Sequence, residues 1–236
     1  MADVDARCAT CLVRDQALCA SLSDDELFAL SDIGRSRPLS RGQALMWAGD
    51  SSTVCANLVS GVLQMTMATN DGREQIVGLL FPGDFVGQPF ATETTLTFSA
   101  LTDAELCVYP RKAFVEILTK HAALERLLFR RTMAALDEAR LRMLMLGRRS
   151  AGEKVAEFLI ELSERLTGQT DLDGARRFEL PLNRSQIADV LGLTIETVSR
   201  QMTKLKNAGA IAIAGRRTIT ILDLEKLAKR AETAGA

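Results

Sequence analysis

The chain changes its hydrophobic period at Arg111, and that change most constrains what it can fold into. From about residue 35 to 110, short apolar runs rich in Val, Leu, Thr and Phe are punctuated by turn signals: Arg41-Gly42, Gly49-Asp50, Ser60-Gly61, Asn70-Asp71-Gly72 and Pro82-Gly83-Asp84. Such a run of short strands predicts a small antiparallel β-barrel or jelly roll. From Arg111 the period becomes that of a helix and holds to about Leu146 without an internal Gly or Pro. Leu124, Leu128, Ala135, Ala139, Met143 and Leu146 follow one another in helical steps and mark one apolar stripe suited to a helix partner.

Helix boundaries are written into the flanking residues. Ser23-Asp24-Asp25-Glu26 is a capping box opening a short helix that ends near Gly34, and Ser150-Ala151-Gly152-Glu153 is a second, opening a helix to about Leu166. Gly147 interrupts the preceding pattern, which puts a domain boundary near 147 to 150. Residues 168–177 read as a polar loop. Asn183 to Gly192 reads as a short helix closed by glycine, and Thr194 caps a second helix carrying Ile195 to Ala208. Two short helices joined by a tight Gly-containing turn are a helix-turn-helix. The runs GAIAIA and TITIL on either side of Arg216-Arg217 read as a hairpin wing. The expected fold is therefore α+β, in four parts: an arm (1–22), a β-barrel (23–110), a helical dimerisation segment (111–147) and a winged helix-turn-helix domain (148–236).

The formal net charge of −1 hides an uneven distribution. Between Arg184 and Arg217 there are six basic residues and two acidic ones, whereas no Lys or Arg lies between Arg73 and Arg111. The basic segment suits phosphates, and the middle of the chain has no cation with which to grip an anionic ligand. On the second helix of the motif Glu196, Ser199 and Arg200 share the amino-terminal face, the part that enters a major groove. A carboxylate can accept from cytosine N4 and an arginine fork can take guanine O6 and N7. Thr203, Lys204, Lys206, Arg216 and Arg217 are placed to reach phosphates. A plain surface pair between Glu196 and Arg200 is the bland alternative. No nucleophile–base pair, phosphate loop or metalloprotease helix is present, so an enzyme is not expected. The chain has no apolar run of the roughly 20 residues that span a bilayer and no secretory leader, which gives the expectation of a cytoplasmic protein.

Three of the five cysteines fall within twelve residues, as Cys8, Cys11 and Cys19 in the spacing C-x2-C-x7-C. In a reducing compartment such a group is expected to bind metal or do redox chemistry. An iron–sulfur cluster usually takes four thiolates, and Cys55 and Cys107 are the two candidates for the fourth. A structural zinc site on the same thiolates stays open. The single histidine, His121, is expected at a helix end.

The core ADVLGLTIETVSRQMTKLKNAGAI, with the barrel and long helix before it, resembles the CRP/FNR superfamily of transcription regulators along almost the whole chain, and E-T-V-S-R resembles its FNR branch. The resemblance implies a homodimer paired through Leu128, Ala135, Ala139, Met143 and Leu146. It implies that Glu196, Ser199 and Arg200 read a TTGAT-type half-site in double-stranded DNA, and that RNA polymerase is a partner of an activator. Glu105-Leu106-Cys107-Val108-Tyr109-Pro110 is similar to the segment that supplies the fourth ligand in that branch, so the resemblance implies an oxygen-sensing [4Fe-4S] cluster on Cys8, Cys11, Cys19 and Cys107, with Cys55 left to the core. The long gap before Cys19 resembles FnrL-type regulators. Cyclic-nucleotide members hold the phosphate with an arginine after the Gly-Asp/Glu turn, and FVGQPFATETTLTFSALTDA after Gly83-Asp84 has none, so no cyclic nucleotide is expected.

Overall fold

The computed structural model describes residues 6–166, 176–215 and 217–232. The chain forms two compact units, the first ending at Leu136 and the second starting at Asp137.

In the first unit a short helix α1 (Ala6–Ala9) and a single 3-10 turn (Leu18–Ser21) precede helix α2 (Asp24–Ile33). Ser23 and Glu26 complete the expected capping box, and Gly34 follows the last turn of α2. Eight strands come next: β1 (Arg35–Leu39), β2 (Ala44–Met46), β3 (Val54–Ser60), β4 (Leu63–Ala68), β5 (Glu74–Leu80), β6 (Phe85–Val86), β7 (Thr97–Ala100) and β8 (Ala104–Pro110). They form two antiparallel four-stranded sheets, ordered β1-β8-β3-β6 and β2-β7-β4-β5, which is the expected jelly roll. Strand alternation decides what each sheet does with its faces. Ala56 and Leu58 of β3 and Leu106 and Val108 of β8 point inward, where they pack with Leu63, Phe98 and Ala100. Each fully buried leucine or phenylalanine there contributes roughly 1.5–3 kcal/mol. The alternate residues Cys55, Asn57, Cys107 and Tyr109 sit on the outer face, with Asn57 opposite Cys107 and Cys55 opposite Tyr109. Helices cover that face.

Two helices fill the segment expected to be one. Helix α3 (Arg111–Lys120) and helix α4 (Ala122–Arg148) are separated at His121, whose ψ of 83° leaves the helical region. The break sets His121 beside α2, with its Nδ1 3.9 Å from Glu26 Oε1. Gly147 does not end the helix. One glycine costs a helix only about 1 kcal/mol, and the bonding continues through it, with Arg149 N donating to Met145 O. The division between units accordingly falls inside α4 rather than near 147 to 150. Residues 132–141 of α4 are exposed on every side, and burial resumes at Arg142, which pairs with Glu161 at 3.4 Å.

The second unit continues with helix α5 (Ala151–Leu166), strand β9 (Arg176–Glu179), helices α6 (Arg184–Leu191) and α7 (Ile195–Asn207), strands β10 (Ile211–Ala214) and β11 (Thr218–Ile221), and helix α8 (Leu224–Glu232). The wing is a three-stranded antiparallel sheet in the order β10-β11-β9. Arg176 and Arg177, expected in a polar loop, begin β9 because they pair with Ile221 and Thr220. The rest of that loop, residues 168–175, lies outside the described residues.

Candidate functional site

The helix-turn-helix is assembled from its caps. Asn183 and Gln186 form a reciprocal capping box at 2.9 and 3.0 Å that starts α6. Gly192 ends it at φ 59°, ψ 45°, the left-handed conformation that glycine reaches without a Cβ penalty. Thr194 Oγ1 then accepts from Thr197 N at 3.2 Å and starts α7. Val198, Met202 and Leu205 turn into the core of the unit, which leaves Glu196, Ser199, Arg200, Thr203, Lys204 and Lys206 exposed on the other side. Glu196 makes no ion pair with Arg200 among the described residues. Its carboxyl is held below the usual carboxylate range, first by its own backbone N–H and then by the Thr194 hydroxyl, so it presents an ionised acceptor. Thr203 Oγ1 donates to Ser199 O at 2.9 Å within its own helix. Arg217 precedes β11 in the wing turn, and Arg216 lies outside the described residues.

The second feature is a cavity of about 310 Å³ on the outer face of the β1-β8-β3-β6 sheet. Cys8, Cys11 and Cys19 from the arm and Cys107 from β8 all line it, with Asn57, Tyr109, Leu27 and Leu30 among its other walls. That volume is about ten times the roughly 30 Å³ a water occupies in the liquid. Among the described residues no three His, Cys, Asp or Glu side chains are set as a metal-binding group, so the four cysteines share the cavity without converging on one point. Burial pushes the Cys19 thiol up to about 12, and the neighbouring Cys107, Cys8 and Cys11 push it in the same direction. Ionising all four would set like charges side by side in a half-dry site, a cost that a bound cation would relieve. Asn57 is buried, and its Nδ2 donates to Tyr109 Oη at 3.0 Å and points at Cys19 Sγ at 3.9 Å. Its Oδ1 has no hydrogen-bond partner among the described residues. Cys55 does not line the cavity. It is 0% exposed and packed among Leu30, Tyr109 and Phe114.

On α4 the residues expected at a dimer interface separate. Leu128 is only 7% exposed, packed with Leu18, Phe114 and Leu124 of its own chain. Ala135, Ala139 and Met143 are exposed, and Leu146 is half-buried near Gly192, where an added Cβ would lie 3.6 Å from Leu146 Cδ2. A neighbouring stripe in the first unit is more apolar and more open: Phe129 is 65% exposed, and Met133 and Leu136 follow it in helical steps, also exposed.

Residues 153–230 match the family described as the Crp-like helix-turn-helix domain, and residues 36–121 match the cyclic nucleotide-binding domain. The transcriptional activator protein FnrL of Cereibacter sphaeroides is 39% identical over 227 residues, covering 95% of this chain and 92% of that one. The chain belongs to the CRP/FNR family of transcription regulators. The nitrogen fixation regulation protein FixK of Bradyrhizobium diazoefficiens is 39% identical to this CRP/FNR regulator over 207 residues, 87% of this chain and 86% of that one. The solved structure of FixK2 from Bradyrhizobium japonicum superposes with a TM-score of 0.78 at 27% identity, covering 86% of this chain and all of that one. This CRP/FNR regulator is thus a DNA-binding transcriptional activator of the FNR/FixK type, and it is not an enzyme. No described helix is long and apolar enough to cross a membrane.

Three parts of the regulator escaped sequence reasoning. Asn57 and Tyr109 line the cysteine cavity, and the alternation of VCANLVS against ELCVYP, with its leucines turned inward, was the signal that could have found them. Lys154, buried in α5, donates to Leu191 O at 3.3 Å and closes the end of α6. Arg131 reaches from α4 to the backbone of the cysteine arm, a contact that no local pattern announces.

Proposed function

We propose that this activator is oxygen-responsive: at low oxygen it is a homodimer with a [4Fe-4S] cluster on Cys8, Cys11, Cys19 and Cys107, and it binds TTGAT-type palindromes to bring RNA polymerase to promoters. The observation that carries the reading is the cavity, which gathers four of the five cysteines from two distant parts of the chain and leaves Cys55 out. When bound, the cluster supplies an oxygen-labile iron–sulfide centre tying the arm to the sheet. The chain's own residues do the rest. Asn57 Nδ2, 3.9 Å from Cys19 Sγ, offers a hydrogen bond that holds the sulfur in place. Leu18, next to Cys19, packs in the same core as Leu124, Leu127 and Leu128, so order in the arm supports the start of α4. The Phe129–Met133–Leu136 stripe then pairs with its copy, and two recognition helices reach the two half-sites of a palindrome. Asp137 and Glu138 beside this stripe keep the dimer marginal, although Asp137 also pairs with Arg140 at 2.9 Å. Cyclic nucleotides have no part in the proposal. Leu58, Leu63, Phe98 and Leu106 fill the barrel interior, and no cation lies between Arg73 and Arg111 to hold a phosphate.

The test is iron and acid-labile sulfide analysis of anaerobically isolated protein, with about four of each expected per chain. One zinc per chain without sulfide, or a metal-free protein of unchanged DNA affinity in air, would overturn the reading in favour of a zinc-structured or cluster-free regulator.

A further inference from the structure

The arm between Cys11 and Cys19 folds back on itself, with Gln16 N and Ala17 N both donating to Val13 O at 3.0 and 2.8 Å. Gln16 is held from two sides. On one side is the Pro82-Gly83-Asp84 turn, where Gly83 at φ 95° lies so close that an added Cβ would come within 3.2 Å of Gln16 Cβ. On the other is α4, from which the Arg131 guanidinium donates to Gln16 O and lies 3.5 Å from Ala17 O. Ala17 and Leu18 are buried and Ala17 O also accepts from Ala20 N at 3.1 Å, so Arg131 adds a side-chain clamp from α4 to an arm already folded by its own backbone bonds.

Arg131 has a particular place on its helix. It follows Leu124 by seven residues, Leu127 by four and Leu128 by three, so it continues the buried face of α4, and it is the last residue before the stretch exposed on every side. At 3.6 residues per turn, Phe129 and Met133 lie about 160° round the helix from it. One face of this turn holds the cysteine arm and the opposite face carries the open apolar stripe.

The geometry points to Arg131 as the positioning residue that couples the order of the cysteine arm to pairing of the long helix. A guanidinium N–H donated to a backbone carbonyl is a charge-assisted contact, and here one nitrogen, Nη2, serves Gln16 O with Ala17 O at its margin. While the arm is folded, Arg131 is drawn to it, and the turn that carries Phe129 and Met133 is held in helix. When the arm opens, the guanidinium returns to water and that turn frays more readily. Linkage makes the effect mutual: whatever factor an ordered arm adds to dimer affinity, the dimer adds to arm order. This inference rests on the dimeric, cluster-bearing reading above, but the arm contact itself does not require a cluster.

The test uses the full chain and the variants Arg131→Gln and Arg131→Lys, with thermal midpoints checked to confirm folding. Amide exchange of residues 16–19 in metal-free protein is expected to rise between severalfold and about tenfold in Arg131→Gln, the factor corresponding to a typical net hydrogen bond, and to recover in part in Arg131→Lys. In anaerobic protein the dimer dissociation constant, from sedimentation, is expected to rise by a similar factor in Arg131→Gln, with no such rise between the same proteins after exposure to air. Unchanged arm exchange in Arg131→Gln would show that the arm is held elsewhere and overturn the proposal. So would a loosened arm with an unchanged dimer constant. If the parent chain itself retains no iron or sulfide, the cluster reading fails on its own, while the exchange measurement still decides whether Arg131 holds the arm.

Discussion

Replacing Cys55 and Cys107 by serine is expected to separate a core cysteine from the proposed fourth ligand by opposite effects on stability and on metal content. Cys55 is fully buried beside Leu30 and Phe114, and burial pushes its thiol up to about 12, the mark of an apolar site. A hydroxyl placed there has to be desolvated, which costs about 1–3 kcal/mol when no partner replaces water. With a urea m value of about 2 kcal/mol/M, the midpoint should fall by roughly 0.5–1.5 M. Trp47 is the chain's one tryptophan and lies in the first unit, so its fluorescence reports that unit alone. Cys107 faces the cavity with Asn57 and Tyr109, where a hydroxyl is tolerated, so Cys107→Ser should cost the metal-free protein no more than about 1 kcal/mol. Anaerobic iron and sulfide content should reverse the order: Cys107→Ser loses the cluster, and Cys55→Ser keeps about four irons per chain. A stable Cys55→Ser protein without iron, alongside an iron-replete Cys107→Ser protein, would refute both assignments.

On α4, Leu136→Glu is expected to abolish the anaerobic dimer in sedimentation while leaving the unfolding midpoint of the first unit unchanged, because Leu136 is exposed. Leu128→Ala should instead destabilise that unit by about 2–4 kcal/mol, since its side chain packs within its own chain. Air should shift wild-type protein from dimer towards monomer; a dimer that persists at micromolar concentration while DNA binding is lost would mean that the signal reorients the DNA-binding units instead. In binding titrations, Arg200→Ala should cost about 1–3 kcal/mol per half-site on a TTGAT-type palindrome and much less on a scrambled duplex. Lys206→Ala should weaken both duplexes alike and lower the salt slope by about one unit per half-site; equal loss on both duplexes for Arg200→Ala would make Arg200 a backbone contact.

What could be read from the sequence here was local, and what could not depended on contacts between distant segments. The two serine capping boxes, the glycine ending α6 and the threonine starting α7 were legible because each is settled within four residues by backbone hydrogen bonding. The exposed face of α7 was legible for the same reason, since helical spacing alone separates Glu196, Ser199 and Arg200 from the buried Val198 and Met202. Strand β9 was not legible, because Arg176 and Arg177 are polar and become a strand only by pairing with β11. The apolar stripe on α4 misled in an instructive way. Spacing identifies which residues share a face but not what covers that face, and Leu128, in step with Ala135 and Ala139, is covered by its own barrel unit. The open face lies about a quarter-turn away, through Phe129, Met133 and Leu136, and only the packing of the arm and barrel against Leu124, Leu127 and Leu128 tells the two apart. The same packing brings the arm cysteines to Cys107. Strand alternation puts Cys55 and Cys107 on one face of the sheet, and the cover supplied by Leu18 and Phe114 buries Cys55 while Cys107 stays open to the cavity. Which of Cys55 and Cys107 shares a cavity with the arm cysteines, left open by spacing, is therefore decided by which part of a shared sheet face the arm reaches.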